Sequence, residues 1–268
     1  MTRVAVLGAG MLGESLLSGL IASGRSAGDM VISERHEARA RQLAEAYGVA
    51  VASSADAASG ADVVFLAVKP QDMGALLTEI SGAVTAGQLV VSMAAGVTLA
   101  TLEAGLPEGT PVVRVMSNTP VRIRMAMSAL SAGRHTDDAH LARAQELLGA
   151  VGATVVVPES QQDAVTALSG SGPAYFFFLV EAMIDAGILL GLPRTVAADL
   201  ITQTALGAAT MLRESGEHPV ALREAVTSPG GTTIAAIREL EDHGVRAALL
   251  AALEAARDRS RELAADSG

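Results

Sequence analysis

The chain has 268 residues, enough for one large domain or two modest ones. Half of them are apolar and 2% aromatic, so the core is aliphatic, and the net charge of −10 argues against a nucleic-acid partner, because phosphate binding needs a basic face. With no cysteine, thiolate catalysis, cysteine-ligated zinc and disulfides are excluded, and the five histidines (His36, His135, His140, His218 and His243) show no metal-ligand spacing, so no metal is expected.

In chain order, "RVAVLG", "DMVIS", "DVVFLAV", "QLVVSMA", "PVVRVM" and "ATVVVP" are short β-branched runs and read as buried parallel strands. Amphipathic segments lie between them, the first with Leu12, Leu16, Gly19 and Leu20 in a row. Strand, helix, strand at short intervals predicts an α/β fold, with a Rossmann-type, doubly wound, mostly parallel sheet at the N-terminal end. The first strand opens at once, so no secretory leader is expected, and a soluble cytoplasmic protein is.

Each strand end carries a candidate cofactor residue. "VAVLGAGMLGESLLSGL" holds Gly8, Gly10 and Gly13 as G-x-G-x-x-G between a predicted strand and a predicted helix, the context that makes this fingerprint specific for a dinucleotide. Glu34 stands near the spacing of an acid that binds the adenosine ribose, which favours NADH. Arg35, with His36 and Arg39 close by, suits a 2′-phosphate and favours NADPH. Lys69, the only lysine of the chain, ends its strand and points into the cofactor crevice, and Pro70 starts the next helix. Ala94, Ala95 and Gly96 have no bulk, so a flat ring can lie against their backbone, and Asn118 supplies an amide at the same edge.

After about residue 160 the strands stop, which divides the chain into a dinucleotide-binding domain, 1–160, and an all-helical domain, 161–268. "SGSGPAYFFFLVEAMIDAGILLGLP" reads as one helix, with Pro173 in its first turn and Gly191 near its end. Its apolar span has membrane length but carries Glu181 and Asp185, so a buried helix is expected rather than a membrane span. Pro193 starts another long helix that ends near Gly216, and Pro219, "SPGG" and Gly244 punctuate three more. So apolar a helical region predicts a dimerisation surface.

The helical part has no lysine to act as general acid or base on an alcohol or carbonyl. The chemistry that fits is hydride addition to an iminium, whose nitrogen already carries its proton. "SPGGTT" opens a helix with bare N–H groups and hydroxyls. Gly231 and Thr232 can hold a carboxylate there, and a threonine hydroxyl can accept a hydrogen bond from an iminium or amine N–H of a compact imino acid.

These motifs resemble those of the pyrroline-5-carboxylate reductase family. The resemblance runs from the glycine loop through "FLAVKPQ", "VVSMAAGVTLATLE", "VRVMSNTP", "DAVTALSGSGPAYFFF", "GLPR" and "ESGEHP" to "VTSPGGTTIAAI", so it covers essentially the whole chain. It implies reduction of 1-pyrroline-5-carboxylate to L-proline with NADPH or NADH. It also implies a homodimer with interleaved helical domains, commonly assembled into a decamer, with no membrane partner. Carried over position by position, it places Leu7, Gly8, Ala9, Gly10, Met11 and Leu12, then Ser54, then Ala67, Val68, Lys69 and Pro70, then Ala94 to Gly96, around the cofactor. It places Gly231 and Thr232 on the substrate carboxylate, Thr233 on its nitrogen, Ser228 in the contacting loop and Glu159 at a substrate-site position. The substrate loop of one copy is expected to complete the active site on its partner's nucleotide domain. Two positions depart from the family: Ser117 replaces a proline, from which a less rigid loop is expected, and Ala225 replaces an asparagine near the cofactor. Rival expectations are a β-hydroxyacid or ketopantoate-type dehydrogenase, against which the missing lysine counts, and a non-enzymatic nucleotide-sensing module, which leaves "SPGGTT" unexplained.

Overall fold

The computed structural model describes residues 2–266. Its first part runs β1 (Val4–Leu7), α1 (Met11–Ala22), β2 (Met30–Ser33), α2 (Glu37–Tyr47), β3 (Ala50–Val51), α3 (Ser54–Ser59), β4 (Val63–Leu66), α4 (Met73–Ile80), β5 (Leu89–Ser92), α5 (Leu99–Ala104), β6 (Val112–Met116), β7 (Ala126–Ala132), α6 (Asp138–Gly149) and β8 (Gly152–Val156). The strands make one sheet in the order β3-β2-β1-β4-β5-β6-β7-β8. Neighbours from β3 to β6 are parallel, and the chain reverses its direction of travel across the sheet between β1 and β4. That reversal opens a crevice at the carboxyl ends of these two strands.

β1, β2, β4 and β5 are buried at every residue, which is why they read as unbroken apolar runs rather than as an alternation. Each face has its own core. Leu16, Leu17 and Leu20 of α1 pack with Leu43 of α2 and with Leu147 and Leu148 of α6 on one face. Met73, Leu77 and Ile80 of α4 pack with Ala57 of α3 and Leu102 of α5 on the other.

Two expectations need correction. β7, "AMSALSA", was not foreseen, because alanine and serine give no β-branched run, and it pairs antiparallel to β6. β8 is parallel to β7 and therefore opposed to the first six strands. It was expected to be buried; as the sheet's last strand it is instead largely exposed, with Val155 and Val156 accessible.

The rest is helical: α7 (Gln162–Val165), a π-helical turn at Thr166–Gly170, α8 (Gly172–Leu189), α9 (Arg194–Ser215), α10 (Pro219–Ala225), α11 (Thr232–Asp242) and α12 (Val245–Asp266). Two compact units result, one reaching to Ser171 and taking in the chain's end from Ala256, the other Gly172–Ala255. Residues 161–171, placed in the helical part by the change in sequence pattern, therefore pack with the sheet. Gln162 is fully buried there, its Nε2 donating to Ser131 Oγ at 2.8 Å and to the Ala129 carbonyl at 3.2 Å. In the second unit α8 and α9 pack together as a helical pair. The expected burial of α8 is not met within one chain: Phe176, Phe177 and Phe178 are 65%, 69% and 69% exposed. The helical run Glu159–Leu189 is long and apolar enough to cross a membrane by length and composition.

Helix α1 starts where it does because Gly13 lies against the loop before it. A Cβ on Gly13 would stand 2.3 Å from the Gly8 carbonyl oxygen, and that atom belongs to the backbone and cannot rotate away. Gly13→Ala is expected to lower stability by about 1–3 kcal/mol, the usual range for overpacking, and to weaken dinucleotide binding together with it. Thermal melting and NADPH fluorescence titration on the same preparation check both effects.

Candidate functional site

A cleft of about 460 Å³ lies at the carboxyl ends of β1, β2 and β4, where the sheet order reverses. Gly8, Gly10, Ser33, Glu34, Arg35, His36, Arg39, Ser54, Ala67, Val68 and Lys69 line it, with Asp72, Ala75, Leu76 and Glu79 from the α4 side. The glycine loop fits a pyrophosphate. Gly8 has φ +89°, and a Cβ there would press on Val68 at 2.6 Å. A Cβ on Gly10 would meet no protein atom within 4 Å, so its absence leaves cleft space free for a ligand at the start of α1. Gly10 is also the N-cap of α1 and gives no side-chain cap, so the first amides of that helix remain for an anion.

Charged groups crowd the β2 end of the cleft. Glu34 turns one carboxylate oxygen back on its own loop, accepting the His36 amide at 3.0 Å. Arg35 is 73% exposed and reaches Asp72 at 3.3 Å, a rim pair that contributes little to stability. Arg39 is held by Glu14 of α1, whose other oxygen accepts the Tyr47 hydroxyl at 3.2 Å. Ser33 and Ser54 meet hydroxyl to hydroxyl at 3.2 Å.

Of the residues expected around the cofactor, Gly8, Gly10, Glu34, Arg35, Ser54, Ala67, Val68 and Lys69 line this cleft. Leu7 and Ala9 are fully buried beneath it, Met11 is exposed, and Leu12 packs on the core. Pro70 opens the turn that leads into α4. Ala94 is buried behind β5, while Ala95 is exposed and Gly96 half-buried in the turn after it. Asn118, expected at the cofactor, also ties two parts of the chain together. Its amide nitrogen lies 3.2 Å from Ser169 Oγ and 3.3 Å from the Ser169 carbonyl, and its oxygen accepts the Met127 amide at 3.0 Å. In the neighbouring loop the Ser117 hydroxyl accepts from Ser128 Oγ at 3.0 Å, a tie that a proline there could not make. Asp72, Ala75, Leu76 and Glu79 were not singled out from sequence, although their spacing marks one face of a helix.

The remaining candidates fall into two places. Glu159, expected near substrate, has its Oε1 held by Arg114 at 2.9 Å and by the Leu99 amide at 2.7 Å. Ser228, Gly231, Thr232 and Thr233 form the start of α11 in the helical unit. There Gly231 is the N-cap, in extended conformation and without a side-chain cap, after a turn closed by the Gly231 amide on the Ser228 carbonyl at 3.1 Å. Thr233 is thus the second helical residue and not a cap, and the amides of Thr232, Thr233 and Ile234 have no acceptor one turn earlier in the helix. Among the described residues, no group of three or more His, Cys, Asp or Glu is placed to hold a metal.

The strand order, the glycine loop and the cleft at the switch point define a dinucleotide-dependent oxidoreductase of the Rossmann type. Residues 159–263 match the family model described as pyrroline-5-carboxylate reductase dimerisation, and residues 3–96 match NADP oxidoreductase, coenzyme F420-dependent. The pyrroline-5-carboxylate reductase of Corynebacterium melassecola is 47% identical over 267 residues, spanning 98% of this chain and 99% of that one. That of Mycobacterium tuberculosis is 46% identical over 286 residues, spanning 98% and 97%. The solved structure of the enzyme from Coxiella burnetii superposes with a TM-score of 0.94 at 37% identity and covers 98% of each chain. The chain belongs to the pyrroline-5-carboxylate reductase family.

If Arg35 meets a 2′-phosphate at the cleft rim, Arg35→Ala raises the KM for NADPH more than that for NADH. Initial rates with each cofactor measure this, and equal effects on both would remove Arg35 from the phosphate site.

Proposed function

We propose that this chain reduces 1-pyrroline-5-carboxylate to L-proline, taking hydride from NADPH, with NADH also accepted. The observation that carries it is the start of α11: an uncapped helix end with two threonines and no charged side chain, in a chain whose one lysine lies at the other site. When bound in the cleft, the cofactor supplies the hydride and leaves as NAD(P)⁺. The substrate carboxylate sits on the Gly231 and Thr232 amides, where the helix end favours an anion without a counter-charge. Ser228 bounds the same pocket from the preceding turn. The protonated imine nitrogen donates to Thr233 Oγ1, which holds the ring so that one face of the imine carbon is open to attack. Hydride adds to that carbon, the C=N π pair becomes the nitrogen lone pair, and the amine product needs no further acid from the protein.

Assembly belongs to the same proposal. The exposed phenylalanines of α8 and the dimerisation family match support a homodimer, and a decamer built from dimers follows the family pattern. Asp185, paired with Arg194 at 3.1 Å, and Glu181 suit α8 to a protein partner better than to a bilayer. The enzyme is placed in the cytoplasm, with no nucleic-acid partner in view of its net charge of −10.

Thr233→Ala removes one hydrogen bond to a charged group, a contribution of about 1.5–3 kcal/mol, so kcat/KM falls about 10- to 150-fold. Thr233→Ser loses less, and cofactor affinity hardly changes in either variant. Steady-state kinetics beside thermal melting decide the point: wild-type efficiency with lowered stability would sink the role.

If the α11 start of one copy serves its partner's cleft, two impaired variants, one in each half, complement each other. Mixing Gly10→Leu with Thr233→Ala after dissociation and reassembly restores about a quarter of wild-type activity, since half the dimers are mixed and each has one intact site. Light scattering on the same samples reports a dimer or larger; no recovery in mixed dimers would place both halves of the site on one chain.

A further inference from the structure

Arg114 is the buried charge that the reaction does not use. It stands on β6 opposite Ser92 of β5 and Ser131 of β7, with its side chain 8% exposed. Among the described residues its one ion-pair partner is Glu159. Glu159 is brought over the sheet by the segment that Gln162 anchors to β7. The same Oε1 that meets Arg114 also accepts the amide of Leu99, the first residue of α5, while Thr98 Oγ1 accepts the Thr101 amide of that helix at 3.2 Å. The turn Ala94–Gly96 precedes Leu99, and Gly96 takes φ +77° within it. At its entry the Met93 amide donates to the Leu66 carbonyl at 2.9 Å, and at its exit the Leu99 amide donates to Glu159.

We propose that Arg114 and Glu159 are positioning residues for hydride transfer: the buried pair seats the first amide of α5 and so fixes the Ala94–Gly96 turn against which the reactive ring of the cofactor rests. This rests on the function proposed above. It gives Glu159 a structural task beside the expected contact with substrate, because its Oε1 already has two donors within the protein. A buried guanidinium needs a counter-charge whose geometry is fixed, and that same fixed geometry is passed on to the turn. Hydride transfer is sensitive to placement, and a misplacement of about 1 Å costs on the order of 100-fold in rate.

Three variants test it: Glu159→Gln, Glu159→Ala and the double Arg114→Met/Glu159→Leu, which leaves no orphan charge if the single alanine variant folds poorly. The readouts are hydrogen exchange over residues 93–99 without cofactor, NADPH affinity by fluorescence, kcat, the KM for pyrroline-5-carboxylate, and the primary isotope effect with NADPH deuterated at the transferred position. Glu159→Gln keeps an acceptor for the Leu99 amide but removes the counter-charge of Arg114, so its kcat falls less than that of Glu159→Ala, by about 3- to 10-fold. Glu159→Ala and the double variant exchange faster at Leu99. Their kcat falls about 10- to 100-fold and their isotope effect on kcat rises, while the substrate KM and NADPH affinity move less than about threefold. A merely structural role would lower stability and the active fraction but leave the isotope effect unchanged. Wild-type exchange and kcat in the double variant would overturn the proposal. So would a rise of about tenfold or more in substrate KM for Glu159→Gln at unchanged kcat, which would mark a charge contact with substrate. If the wild-type enzyme itself failed to turn over pyrroline-5-carboxylate, the function would fall, and the exchange and NADPH arms would still judge the clamp: unchanged exchange at residues 93–99 would overturn it.

Discussion

The contact on which the rest depends is backbone on backbone, where Gly13 of α1 lies against the carbonyl of Gly8. It fixes the angle at which the first helix leaves the first strand. That angle points the free amides of α1 at the mouth of the crevice instead of along the sheet, and it brings the helix down on one face, where Leu16, Leu17 and Leu20 fill the core. Because the central strands are buried on both faces, no side chain within them can reach solvent. Within this unit, groups that can meet a ligand are therefore confined to strand ends and the turns that follow them, which is where Glu34, Lys69 and Ala95 stand.

What could be read in the sequence follows from the same burial. Strands covered on both sides must be apolar almost throughout and are rich in valine, so β1, β2, β4, β5 and β6 announce themselves, and a glycine run between such a strand and an apolar helix locates the cleft. β7 gave no such signal. It lies beside β6, and its alanines and serines fill narrow spaces and form side-chain links: Ser128 Oγ to Ser117, and Ser131 Oγ to the Val157 carbonyl at 2.8 Å. The long-range ties of Asn118 are equally hidden in sequence. An amide after a strand looks the same in sequence whether it faces a ligand or ties two loops together, and long-range partners such as Ser169, 51 residues away, leave no periodic trace. The same holds for Glu159 and Arg114, 45 positions apart.

The two candidate ligand surfaces, one in each unit, differ in chemistry. The cleft in the sheet unit gathers arginines, a lysine and acids at its rim, as suits a polyvalent anion that must be held and released. The α11 end offers backbone amides and hydroxyls alone. A fixed dipole without a mobile cation suits a small carboxylate, as the proposed substrate carries. In the proposed reaction a chain with one lysine needs no acid of its own, since the substrate's nitrogen already carries its proton.

The three adjacent phenylalanines of α8 have a geometric consequence. Successive helical residues project about 100° apart, so Phe176, Phe177 and Phe178 together sweep about 200° of the helix circumference. All three are largely uncovered within one chain. A flat neighbour touches one side of a cylinder and would leave at least one ring in water. Only a surface that wraps the helix can shelter all three, so the architecture calls for an embrace and not a handshake. Covering that face links the stability of the second unit to the concentration of its partner, because whatever binds only the folded state stabilises it by mass action.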